Sequence, residues 1–216
     1  MTPLVVVGDI HGNIGALKAM LERIDKLKRR VVFVGDYVNG GPASASVLEE
    51  LSAKKLMYPA AWTFLTGNHD LALLDYLDGG SFAAFAASGG IATISSYIDS
   101  VQGNVRYSFA RSFPEHHRRF LEGLLPCYED EGVLISHVGF CVDRPDDRSK
   151  DAMARGGSHR VFSSPSPRQL VVCGHYLQRS LKPFNSEHLI CIDTGCGMAD
   201  GPLTAVMLPE RTFISV

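Results

Sequence analysis

The chain has 216 residues, a formal net charge of -2, and 20% charged against 45% hydrophobic residues. It is long enough to bury one core without splitting, too apolar to be disordered, and too nearly neutral for a long-range field that would draw in nucleic acid. Five cysteines without a C-x-x-C pair, and a start that runs straight into an apolar stretch, point to a reducing compartment, the cytoplasm, with no membrane anchor.

In chain order, LVVVGD (4–9) and VVFVGD (31–36) are short β-branched runs bracketing helical spacing at Ile14, Leu17, Leu21 and Ile24, a β-α-β unit. KLKRR (26–30) places cations where a helix C-terminus favours them. A second helix is expected over about 43–53, then a third strand in AAWTFL (60–65) that stops at GNHD. Residues 71–125 read as mainly helical, broken at Gly89 and Gly90, and form a cap or insert, with His116 and His117 on an exposed helix face. GVLISH (132–137), LVVCGH (170–175), LICIDTG (189–195), LTAVML (203–208) and RTFISV (211–216) read as further strands. Residues 139–169, rich in Asp, Arg, Ser, Gly and Pro, read as a long surface loop within a single domain spanning 1–216.

Several of these runs end in a side chain able to bind metal: Asp9 and His11 in GDIHG, Asp36 in GDYVNGGP, Asn68 and His69 in GNHD, His137 in SHVG, His175 in CGHY. Singly, each has a plainer use, since Asp and Asn cap helices and form turns, and Asn13 is as good a cap as Asp9. Jointly, at the carboxyl ends of strands, they bring oxygens and imidazoles to one edge of the fold. That is enough for two divalent ions, and the absence of thiolates suits Mn²⁺ first, with Fe or Zn²⁺ as alternatives. A carboxylate such as Asp36 has two oxygens with which to bridge such a pair.

The order and wording of these motifs resemble the calcineurin-like metallophosphoesterases, and within them the phosphoprotein-phosphatase branch that includes bacterial serine/threonine phosphatases and symmetrical diadenosine tetraphosphatases. GDIHG, GDYVNGGP, GNHD, HVG and GHY stand in the family's order, and GGIATISSY, PEHHRRFLEGLLP and IDTGCGMADGPLTAVML extend the likeness over nearly the whole chain. The resemblance implies an α/β fold, a four-layer αββα sandwich of two mixed sheets with outer helices. It implies one ion on Asp9, His11 and Asp36, a second on Asp36, Asn68, His137 and His175, and Asn68 and His69 facing the substrate, His69 as the acid that protonates the leaving oxygen. The implied activity is metal-dependent phosphoric ester hydrolysis, of the serine/threonine phosphatase or phosphomonoesterase type, by a bridging hydroxide on a dinuclear centre. The alternatives are a symmetrical diadenosine tetraphosphate hydrolase and a metal-binding pseudophosphatase acting as a regulatory module.

Two positions depart from the family's GDxVDRG. Asn39 stands where an Asp would orient His69; its carbonyl can accept from an imidazole N–H but carries no charge for an imidazolium. Gly40 stands where an Arg would grip phosphate bidentately, a contact backbone cannot replace. The loop before GHY offers Arg144, Arg148, Arg155, Arg160 and Arg168, of which Arg160, followed by VF, is the expected substrate-binding replacement.

Overall fold

Apolar runs buried on both faces form the centre of the molecule, whose computed structural model describes residues 2–100, 103–130, 132–164 and 169–216. In β1 (Leu4–Val7) every side chain is buried, Leu4 and Val6 toward one apolar cluster and Val5 and Val7 toward another. Burial on both faces is why the run shows no polar alternation.

The first sheet has the order β10-β9-β1-β2-β3, where β2 is Arg30–Phe33, β3 Trp62–Phe64, β9 Thr204–Leu208 and β10 Thr212–Ser215. Its first three strands in sequence run parallel, and β9 and β10 extend it antiparallel. The second sheet has the order β4-β5-β6-β8-β7, with β4 at Cys127–Asp130, β5 at Val133–Ser136, β6 at Leu170–Cys173, β7 at Phe184–Asn185 and β8 at Leu189–Cys191. Here β5, β6 and β8 are parallel and both edges antiparallel. The sheets face each other across Val6, Val32 and Leu65 on one side and Ile135, Val172 and Ile190 on the other. Each such side chain contributes about 1.5–3 kcal/mol on leaving water.

Helices α1 (Ile14–Ile24) and α2 (Ser44–Met57) pack on the outer face of the first sheet through Leu17, Leu21, Val47 and Leu51. The expected cap resolves into α3 (Asn68–Leu77), α4 (Phe82–Ala87), α5 (Gly90–Ser95), α6 (Val105–Ser112) and α7 (Glu115–Glu122). Tyr76, Phe85, Ile94, Phe109 and Phe120 tie these helices into the same core. The result is the α/β sandwich of two mixed sheets with outer helices.

Residues 139–169 are not the open loop their composition suggests. They contain α8 (Lys150–Arg155) and a 3-10 turn at His159–Phe162, and Ala152, Met153, Ala154 and Val161 are buried. Phe140, Val142, Val161 and Phe162 from this segment pack on the outer face of the second sheet, flanked by polar residues that mask their periodicity. Arg168 lies outside the described residues. Edge strands β4 and β7 were not legible, because CYED and FN lack an apolar run and take their pairing from their neighbours. Among the described residues no helix is long and apolar enough to cross a membrane.

Candidate metal centre

Backbone hydrogen bonds lash the strand-end loops together. The N–H groups of Ile10 and His11 both donate to Asp36 O, at 3.1 and 2.9 Å, and Gly12 N–H donates to Tyr37 O at 2.9 Å. Buried Asp70 accepts from the N–H groups of Asp36, Tyr37 and Gly67 at 2.8, 3.0 and 2.9 Å, joining the loop after β2 to the start of α3. From the second sheet, His175 N–H donates to Asp9 Oδ2 at 3.0 Å. Asn13 caps α1 by accepting from Ala16 N–H, so neither Asp9 nor His11 is needed for that purpose.

His11, Asp36, Asn39 and His175 have φ of 46°, 54°, 69° and 62°, four of the seven non-glycine residues with positive φ among the described residues. Such conformations cost about 1–3 kcal/mol each and persist where the surroundings over-determine them. Two glycines permit the approach of the carboxylates: a Cβ on Gly67 would overlap Asp36 Oδ1, and one on Gly174 would overlap Asp9 Oδ1.

Asp36 is the hub. Its Oδ1 accepts from His69 N–H at 2.9 Å, while Oδ2 lies 3.3 Å from His137 Nε2, 3.7 Å from His11 Nε2 and 3.8 Å from His69 Nε2. Asn68 Oδ1 lies 2.8 Å from His137 Nε2 and 2.9 Å from His175 Nδ1, and those two nitrogens are 3.2 Å apart. Ligand atoms of a tetrahedral ion with bonds of about 2.0 Å stand about 3.3 Å from one another, so this spacing fits a cation. His11 Nδ1 faces Val38 O at 3.2 Å, which turns Nε2 into the centre. Asp9 Oδ1 and His137 Nδ1 are buried without a hydrogen-bond partner.

Charge supports the same fit. Asp9, Asp36, Asp70 and Asp193 are all buried around one another. Burial, then Asp193 and Asp36, pushes the Asp9 carboxyl well above the usual range. Burial and Asp36 push Asp70 up to about 7, and burial also raises Asp193. Burial opposes ionisation of Asp36, but His137, His69 and His11 outweigh it and hold its pKa below the ordinary value. His137 is disfavoured as a cation by burial, yet Asp36, Asp9 and Asp70 raise it to about 9; burial and His137 lower His175 to about 4, and burial lowers His69. A pocket with this many buried carboxylates, and with His69 and His175 disfavoured as cations, fits divalent ions.

His69 is held differently from the expectation. Thr93 Oγ1 accepts from Asn39 N–H at 2.9 Å and donates to Asn39 Oδ1 at 2.7 Å, occupying the carbonyl. Ser88 Oγ gives its proton to Phe85 O and so accepts from Asn39 Nδ2 at 3.4 Å. The amide nitrogen faces His69 Nδ1, 3.0 Å away, while His69 Nε2 lies 3.8 Å from Asp36 Oδ2. Arg160 pairs with Asp143 at 2.7 Å on the exposed surface. Among the described residues no arginine hydrogen-bonds or ion-pairs with the seven strand-end residues.

Asp70, Asp193 and Thr93 were not singled out from the sequence. Asp70 had a signal, the last letter of GNHD, but its partners Asp36 and Tyr37 lie 34 and 33 residues away in the chain and meet it only in the fold. His116 lies on the exposed helix face expected of it, but His117 is buried, because α7 turns its ring against Tyr97 and α2.

Among α/β sandwiches, such a cluster at the meeting edge of two mixed sheets defines the metal-dependent phosphoesterases. The chain belongs to the calcineurin-like phosphoesterase family, whose pattern matches residues 2–179, and it is a phosphoric ester hydrolase. It is 45% identical to a symmetrical bis(5'-nucleosyl)-tetraphosphatase of Methylococcus capsulatus, over 95% of this chain and 91% of that one. It is 27% identical to an asymmetrical bis(5'-nucleosyl)-tetraphosphatase of Oceanobacillus iheyensis, over 98% and 90%. A crystal structure with the provisional description diadenosine tetraphosphatase shares the fold, with a TM-score of 0.67 and 24% identity over 100% of this chain and 93% of that one.

Proposed function

We propose that Asp9, His11, Asp36, Asn68, His137 and His175 hold two divalent ions, Mn²⁺ first among them, with Asp36 shared, and that His69 faces the leaving oxygen of a bound phosphate. Ions bound there would supply Lewis acidity, able to activate water and neutralise phosphate oxygens. The arrangement that carries this reading is Asp36 Oδ2, which faces imidazole nitrogens from three separate loops at 3.3–3.8 Å while Oδ1 is tied to backbone.

The substrate follows from what His69 can do. An Asp at position 39 would stabilise an imidazolium, which can release a proton. Asn39 instead turns its amide nitrogen toward Nδ1, and a proton on that ring nitrogen would meet the amide N–H head on. On this reading His69 is a hydrogen-bond donor through Nε2 and a poor source of protons. Phosphoserine needs a proton on its departing alkoxide, whereas a phosphoanhydride releases a phosphate that is already stable as an anion. We infer that dinucleoside polyphosphates are preferred to phosphoproteins, in keeping with the two relatives named above. Phosphomonoesters with activated leaving groups are the next best substrates. The five cysteines, all free, accord with the cytoplasm as the site of action.

The test is a comparison of kcat/KM for diadenosine tetraphosphate, p-nitrophenyl phosphate and a phosphoserine peptide, each with Mn²⁺. The expected order is the order given. A phosphopeptide rate equal to the dinucleotide rate refutes the substrate reading, and inactivity on all three with two ions bound refutes the catalytic one.

A further inference from the structure

Away from the strand-end loops, three side chains from two helices point at one spot. Glu49 of α2 lies with Oε2 2.8 Å from His116 Nε2 and 3.1 Å from His117 Nε2, both from α7. The two imidazoles are adjacent in sequence, and their rings meet edge to face with centroids 4.4 Å apart. Ligand atoms of all three residues lie within 4.8 Å of one another.

Their surroundings are those of a metal-binding group rather than of a surface ion pair. The His117 side chain is only 3% exposed, and its Nδ1 stands 2.7 Å from Tyr97 Oη, which fixes the ring with Nε2 toward Glu49. A partner on the far nitrogen is what orients a ligating imidazole and sets which nitrogen carries the proton. Tyr97 is in turn packed against Phe109 and Phe113, so the orientation is held by the core. Burial and the neighbouring His116 disfavour the charged form of His117, against the pull of Glu49. His116 and Glu49 are 55% and 65% exposed, so an ion reaches them directly from solvent and keeps a position for water.

We propose that Glu49, His116 and His117 bind a divalent ion of the Zn²⁺ class, separate from the phosphoesterase centre, which pins α2 to α7. Two imidazoles and one carboxylate with a water make a four-coordinate nitrogen and oxygen set. That suits Zn²⁺ or Co²⁺ and not Mg²⁺ or Ca²⁺, which take six or more oxygens. A tetrahedron with bonds of about 2.0 Å separates its ligands by about 3.3 Å, so each contact to Glu49 opens only slightly to admit the ion.

The experiment is equilibrium dialysis of the whole chain against Zn²⁺, followed by metal analysis, alongside Glu49→Gln and His116→Ala. Both altered side chains are exposed, so neither variant loses core packing. Wild type is expected to carry one more zinc per chain than either variant. Loaded with Co²⁺, it is expected to show a visible absorption that both variants lack, while all three hydrolyse phosphoester at the same rate with Mn²⁺. Equal zinc content in wild type and both variants overturns the proposal, and so does an extra equivalent that persists in His116→Ala. Because the readout is a difference between proteins that share the same strand-end centre, it is independent of whether that centre turns over substrate.

Discussion

Asp36 Oδ2 and the amide of Asn39 divide the chemistry between them. The oxygen sits among three imidazole nitrogens, so Asp36→Asn exchanges the central charge for a neutral dipole. Metal affinity and turnover are expected to fall by more than the about 10–100-fold typical of losing an outer hydrogen-bond partner of a ligand. Calorimetric Mn²⁺ titration beside kcat reads both. Asn39 acts through orientation, and Thr93 holds it. Thr93→Val leaves Asn39 Oδ1 without its donor, an expected cost of about 1–3 kcal/mol in urea unfolding, and Thr93→Ser restores it. Asn39→Asp puts a carboxylate against His69 Nδ1 and is expected to raise the phosphopeptide rate relative to the dinucleotide rate. An unchanged ratio would show that His69 takes no part in leaving-group departure. Adding Gly40→Arg is a harsher change, because Gly40 sits at φ 79°, where a side chain is strained.

At the scale of elements, Asp70 supports the loops and Asn13 supports a helix. Asp70→Asn presents an NH₂ to backbone donors that now meet two carboxylate oxygens. A loss of about 1–3 kcal/mol is expected, together with weaker Mn²⁺ binding, because the loops after β2 and β3 lose their common acceptor. Asn13→Ala removes the cap of α1 for about 1 kcal/mol and is expected to leave Mn²⁺ binding unchanged. The contrast between these variants, read by urea unfolding and calorimetry together, separates support of the site from support of the fold. The same contrast explains what was legible in the sequence. The gathering of the six proposed ligands at one edge could be read because each stands just beyond an apolar run, and a strand end has only one place to go. Asp70, Thr93 and the His117–Glu49 pair could not, because their partners lie 33 to 68 residues away in the chain and no local pattern encodes them. The helix at Lys150–Arg155 was hidden for a different reason: at six residues it has too few turns to show a period.

For the whole molecule, the buried carboxylates make stability depend on metal and on pH together. His137, raised to about 9 by Asp36, Asp9 and Asp70 against the opposing effect of burial, binds a proton in the folded state that the unfolded chain has released above about pH 6.5. Its contribution is complete below pH 6.5 and is lost as pH rises through 9. Asp9, also raised, acts in the same direction. Metal-stripped protein is therefore expected to lose stability between pH 7 and 9, by at most about 1.4 kcal/mol per pH unit for each proton involved. With Mn²⁺ in place of the protons, the slope should flatten and the thermal midpoint rise. A metal-free midpoint that is constant over that range would contradict the charge arrangement described above.

The contact of His175 N–H with Asp9 Oδ2 spans 166 positions of sequence and joins loops from opposite sheets. On the proposed reading of the site, a chain clipped ahead of its last quarter keeps five of the six side chains but loses His175 and the strap it places on Asp9, so its hold on the cations is expected to weaken.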